Sequence, residues 1–129
     1  MRVSYSRPGK PPDFTVRYRF YTAAEGGLVG APRQHIRWDF LYHGDDPERD
    51  GIYMIWPEFL DHAGNPLPEG PVPYQGVAHM FIISDDMREQ IHRGRIALGV
   101  RGYFVEGPKR VAECEVTELI GLSHTSPKS

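Results

Sequence analysis

Residues 14 to 21, FTVRYRFY, alternate without a break. Phe14, Val16, Tyr18 and Phe20 fall on one side; Thr15, Arg17, Arg19 and Tyr21 fall on the other. A period of two sets one face against a core and the other in water, the mark of a half-buried strand. The run stops in Ala23-Ala24-Glu25-Gly26-Gly27, where adjacent glycines accept backbone angles closed to other residues. A strand of this kind needs partners, because two strands alone are barely stable in water.

Five further runs supply them. In QHIRWDFLYH (residues 34–43), Ile36, Trp38, Phe40 and Tyr42 alternate with Arg37, Asp39 and His43. GIYMIWP (51–57) and GVAHMFII (76–83) are short and almost wholly apolar, as strands covered on both faces are. RIALGVRGYFV and RVAECEVTEL close the set, the last with Ala112, Cys114 and Val116 inward and Glu113 and Glu115 outward. One segment has a different period. SDDMREQIHRG offers Ser84 as N-cap, Asp85 and Asp86 in the first turn, a Met87–Ile91 stripe and Gly94 as stop. The pattern predicts an all-β fold, a six-stranded antiparallel Greek-key barrel with one short helix near residues 85–93. Residues 1–12 read as a loosely held arm, 13–120 as a single barrel domain and 121–129 as a frayed tail.

Composition narrows the classes. Fifteen basic and 17 acidic residues leave a net charge of −2, which argues against a dedicated binder of nucleic acid or anionic membrane. A single cysteine, Cys114, rules out an internal disulfide and suits a reducing compartment. No apolar run nears the roughly 18 residues of a membrane span, and the first residues lack the apolar centre of a signal peptide. The expectation is a cytoplasmic protein.

Four motifs in order resemble a known family. F-x-V-x-Y-x-F, then Glu25-Gly26-Gly27, then IRWDF, resembles the start of the C-terminal β-barrel, domain 3, of translation elongation factor Tu. Arg37 and Phe40 fall on the Arg and Phe of that family's second strand. GIYMIWP stands where the family has Gly-Val-x-Met-Val-Met-Pro, and VEGPKRVAECEV (105–116) is similar to its last strand pair, with Glu106, Gly107, Arg110 and Val111 matching. The likeness spans about residues 14 to 120. It implies the same barrel, with Glu25, Gly26 and Gly27 as a fold device in which Glu25 accepts bonds from nearby backbone.

The departures bear on function. No Gly-x-x-x-x-Gly-Lys-Ser/Thr phosphate loop occurs, so GTP hydrolysis is excluded and the chain reads as the barrel without its motor. The family's Arg-His-Thr-Pro run is Leu28-Val29-Gly30-Ala31 here, and its Pro-Gly-Asp is Pro57-Glu58-Phe59. A proline-rich insertion follows over 59–75. Its spaced prolines hold an extended backbone, a surface fit for a partner, with Leu67, Pro68, Val72 and Tyr74 as the docking residues. On the bland alternative the loop plugs the barrel mouth with Phe59, Leu60, Leu67 and Val72.

Other constellations have plainer readings. His35, His43, His62, His79, His92 and His124 lack the spacing of a metal site, and HGDDPERDG (43–51) lacks the residue order of a calcium loop. No metal and no cofactor is expected. Arg17 and Arg19 on strand one, with Arg33 and Arg37 near strand two, form a small basic patch if the strands pair. The family's barrel touches the backbone of aminoacyl-tRNA, so the patch raises an RNA contact, set against a solvated face of ion pairs. Cys114 sits in an inward set and reads as a buried, inert thiol.

Three function classes follow. The first is a non-catalytic protein-interaction module with a protein partner, translation-related or an immunity or antitoxin type of protein in a bacterial assembly. The second is an RNA (tRNA)-contacting protein. The third is a small enzyme with a pocket at the barrel mouth.

Overall fold

The computed structural model describes residues 11–122. Six strands stand among them: β1 (Phe14–Phe20), β2 (Asp39–Tyr42), β3 (Ile55–Phe59), β4 (Gln75–Ile82), β5 (Arg101–Glu106) and β6 (Lys109–Leu119). They make one antiparallel sheet in the order β2-β5-β6-β1-β4-β3. Its two edges touch at a single bridge. Phe40 of β2 and Tyr53, just ahead of β3, exchange backbone bonds of 2.8 and 2.9 Å. The fold is all-β and barrel-like, with one short helical segment. No helix among the described residues is long and apolar enough to cross a membrane.

β1 is the central strand because its alternation suits two neighbours. It pairs with β4 from Phe14↔Met80 to Arg19↔Gln75, and with β6 from Phe14↔Leu119 to Phe20↔Ala112. Phe14, Val16, Tyr18 and Phe20 are all buried and meet Phe40, Phe59 and Phe104 in a core of aromatic edges. Tyr18 and Phe59 stand 4.9 Å apart edge to face, and Phe20 and Trp38 5.0 Å apart. Such pairs contribute about 0.5–1.5 kcal/mol each beyond the area they bury. Gly102 of β5 makes room for this packing, since a Cβ there would lie 2.4 Å from the Phe40 ring.

The Glu-Gly-Gly turn is a fold device of two parts. Thr22 and Glu25 cap one short turn reciprocally, with Thr22 N–H donating to Glu25 Oε1 at 2.9 Å and Glu25 N–H to Thr22 Oγ1 at 3.3 Å. Gly26 then takes φ +85, and Gly27 packs where a Cβ would meet the Tyr21 carbonyl oxygen at 2.1 Å.

Three expectations are corrected. The run at 34–43 is a strand only over its last residues. Gln34 and His35 turn away, and Ile36 is exposed while Trp38, Phe40 and Tyr42 are buried. The helical segment covers 85–95 and runs through Gly94, with Ser84 as N-cap. Its middle, Arg88–His92, is a π turn in which Arg93 N–H donates to the Arg88 carbonyl, five residues back. That extra residue rotates the inward face: Met87 is exposed and the buried residue is His92. At the chain ends, Ile120 and Leu122 N–H both donate to the Asp13 carbonyl, and Leu122, expected in the tail, is buried. The rest of the arm and tail, with His124, lies outside the described residues.

Candidate binding groove

Four neighbouring strands, β4, β1, β6 and β5, present their solvent face together. Register sets two rows across them. One runs Val77–Arg17–Glu115–Arg101, the other Gln75–Arg19–Glu113–Tyr103. Between the rows run Gly76, Tyr18, Cys114 and Gly102, whose side-chain positions are turned to the core, so this row forms the floor of the groove. The resulting groove has a volume of about 590 Å³.

Its charges are mostly matched internally. Arg17 Nη2 donates to Glu115 Oε1 at 3.0 Å, and Arg19 reaches Glu25 at 3.2 Å and Glu113 at 3.4 Å. Tyr21 donates its hydroxyl to Glu113 Oε1 at 3.0 Å; burial, then Glu113, pushes that phenol up to about 12. Glu25 is held below the usual carboxylate range by the Thr22 N–H and then by Arg19. Arg101 lies across from Glu115 but makes no ion pair among the described residues. Tyr103 is sandwiched: Arg110 stacks on its ring at 4.2 Å and His43 Nδ1 lies 2.7 Å from its hydroxyl. Burial pushes the Cys114 thiol up, so the floor of the groove is neutral.

The four arginines of the expected basic patch do not meet. Arg17 and Arg19 share the groove, but Arg33 bridges Pro71 through backbone and Arg37 stacks on Trp56 of β3 at 4.7 Å. β4 stands between that edge and β1. The cross-strand ion pairs of the alternative reading are what the sheet shows.

The expected docking residues of the 59–75 loop divide. Leu67 packs against the core and Val72 is buried, whereas Pro68 and Tyr74 remain at the surface. Backbone explains it. Leu67 N–H donates to the Phe59 carbonyl at 2.9 Å, and the Gln34 amide donates to both the Leu67 and Phe59 carbonyls at 2.9 Å. Beside this clamp the His35 ring lies between two carboxylates, with Nε2 2.7 Å from Glu58 Oε2 and Nδ1 against Glu69. His35 takes φ +63, and Glu58 is a buried carboxylate on β3. The turn of this loop lies ahead of Leu67, at 61–65, where one Asp61 oxygen accepts from Ala63 and Asn65 N–H.

The remaining histidines are dispersed. His79 faces Glu58 across β4 and β3 and is pushed down by burial, His62 is exposed, and His92 is in the interior. Among the described residues no group of three or more His, Cys, Asp or Glu side chains is set to hold a metal ion. In the 43–51 loop, Asp46 and Asp50 accept from backbone N–H groups of their own turn.

Arg101, Tyr103, Glu113 and Glu115 were absent from the expected site. The outward alternation of Glu113 and Glu115 was legible, but which strand they would face was not. No family model and no curated protein sequence matches the chain. The likeness to the elongation-factor barrel therefore rests on its motifs alone.

Proposed function

We propose that this chain is a non-catalytic binding module that receives a segment of a partner protein in the groove across β4, β1, β6 and β5. The observation that carries this reading is the contrast within the groove. Arg17 and Arg19 are neutralised by Glu115, Glu113 and Glu25, whereas Arg101 and Val77 face solvent beside the half-buried ring of Tyr103. A partner side-chain carboxylate for Arg101, with apolar contact along Val77 and Tyr103, suits that arrangement. Phosphate contact suits it less, because the two central guanidinium groups already hold carboxylates.

The test is affinity capture from lysate with wild type and with Val77→Asp and Arg101→Glu, both exposed positions that leave the core alone. Proteins retained by wild type and lost from both variants, at unchanged melting temperature, support the groove. Equal capture places the partner elsewhere. Binding to tRNA that falls steeply with salt and is lost in Arg17→Ala/Arg19→Ala would instead favour the RNA reading. GTP hydrolysis by pure protein would overturn the non-catalytic one.

A further inference from the structure

At the far end of β4 from the groove, the helical segment closes over a second concavity of about 210 Å³. Tyr53, Met54, Ile82, Met87 and His92 line it. Its floor is rigid: the Tyr42 hydroxyl and His92 Nδ1 lie 2.7 Å apart, and Tyr53 meets the His92 ring edge to face at 4.7 Å. Its rim is apolar and open, with Met54 52 %, Met87 38 % and Ile83 37 % exposed. Backbone holds the rim in place, since Ile83 N–H donates to the Met54 carbonyl at 3.1 Å. The volume is below the roughly 300–1,000 Å³ of ordinary small-molecule pockets and suits one large side chain.

Charge at this end selects the partner. Each arginine is matched: Arg88 with Asp13 and Asp85, Arg93 with Glu89, Arg95 with Asp45, Arg49 with Asp50. The Arg95–Asp45 pair ties the acidic 43–51 loop to the end of the helical segment. Asp46, Glu48 and Asp86 are exposed and have no ion-pair partner among the described residues. The unmatched charge, in the first turn of the helical segment and in the loop tied to its end, is negative. The hollow beside that segment is rimmed by methionines, which adapt to varied side chains.

We infer that this end of the barrel docks a basic amphipathic helix of a partner protein, with one apolar side chain seated in the hollow between Met54, Met87 and Tyr53. The remaining apolar residues of that helix lie over Ile83 and the methionines, and its Lys or Arg face Asp46, Glu48 and Asp86. This site is separate from the groove, and the two stand or fall independently.

The probe is a fluorescein-labelled helix of leucines and lysines with its leucines at i, i+3, i+4 and i+7, read by anisotropy against the whole chain. Saturable binding is expected, weakened about ten-fold or more by Met54→Asp and by the triple change Asp46→Asn/Glu48→Gln/Asp86→Asn. These positions are exposed, and an unchanged melting temperature confirms that the fold is kept. Arg101→Glu should leave the binding as it is. Equal affinity for a matching Leu/Glu helix overturns the proposal, as does binding indifferent to Met54→Asp, which would be general attraction of cations. Self-association in sedimentation that Met54→Asp abolishes also overturns it, by making a second copy of the chain the occupant.

Discussion

Arg88 Nε donates to Asp13 Oδ1 at 2.6 Å, and around this contact three elements are joined. The same guanidinium donates to the Ile82 carbonyl at 2.9 Å, while Ile82 N–H donates to Asp13 Oδ2 at 2.7 Å. The helical segment, the residue before β1 and the end of β4 thus share one network, and the two side chains are only 14 % and 5 % exposed. Removing one partner strands a buried charge. Arg88→Met should lower stability by about 3–5 kcal/mol in urea unfolding, well beyond the roughly 0–1 kcal/mol of an exposed pair such as Arg17–Glu115. Equal losses in Arg88→Met and Arg17→Met would show that the network contributes nothing special.

The two glycines of the Glu-Gly-Gly turn should respond differently to alanine. Gly26→Ala meets open space but must adopt φ +85, a cost of about 1–2 kcal/mol. Gly27→Ala has no such dihedral problem, yet its Cβ would stand 2.1 Å from a backbone oxygen that cannot swing aside. The turn itself must open, and the loss should exceed that at Gly26. Melting temperatures in the reverse order would refute this division of roles.

Residues 14–20 were legible because alternation is a local signal that survives whatever the strand pairs with. The N-cap at Ser84 was legible for the same reason, its Oγ accepting from Met87 N–H at 3.2 Å. Gln34, Glu58 and His92 were not. Each is polar yet buried, and each is satisfied by a partner 23 or more residues away: Gln34 by Phe59, Glu58 by His35, His92 by Tyr42. Hydrophobic periodicity is blind to such pairs. The π turn compounded the error by moving the inward position one residue past the Met87–Ile91 stripe. The groove was half legible, since Arg17 and Arg19 were picked out but the pairing of β1 with β6 was not.

His92 should make stability depend on pH. Burial, assisted by Arg95 and Arg88 and opposed by Asp13, pushes its imidazole down from 6.5 to about 4. Between those values the unfolded chain binds a proton that the folded chain refuses. Stability from this group is therefore complete above about pH 6.5 and is lost as pH falls towards 4, by about 3 kcal/mol. His92→Gln, which cannot titrate, should show a shallower fall between pH 6.5 and 4 in urea midpoints. Parallel profiles for the two proteins would rule out His92 as the source.

Cys114 should be inert in the folded chain. It is 5 % exposed, and burial raises its thiol above the ordinary range, so little thiolate forms at pH 8. Iodoacetamide labelling should be slow in buffer and fast in urea beyond the unfolding midpoint. Rapid labelling of native protein would mean that the groove floor opens.

Gln34 should govern the proline-rich loop. Its amide nitrogen serves the carbonyls of Phe59 and Leu67, its oxygen accepts from Phe59 N–H at 2.8 Å, and the side chain is 3 % exposed. Gln34→Leu keeps the bulk but deprives the buried Phe59 N–H of its acceptor, a cost of about 1–3 kcal/mol for the desolvated group. The Leu67 carbonyl loses a donor at the same time, so the loop should loosen with the clamp. Leu67→Asp should then lower the melting temperature as well, because its side chain packs against the core and does not wait for a partner. Hydrogen exchange separates the effects. In Gln34→Leu the Leu67 amide should exchange faster while amides of β1 and β6 change only with global stability. A Leu67→Asp variant that melts with wild type would restore that leucine to the surface.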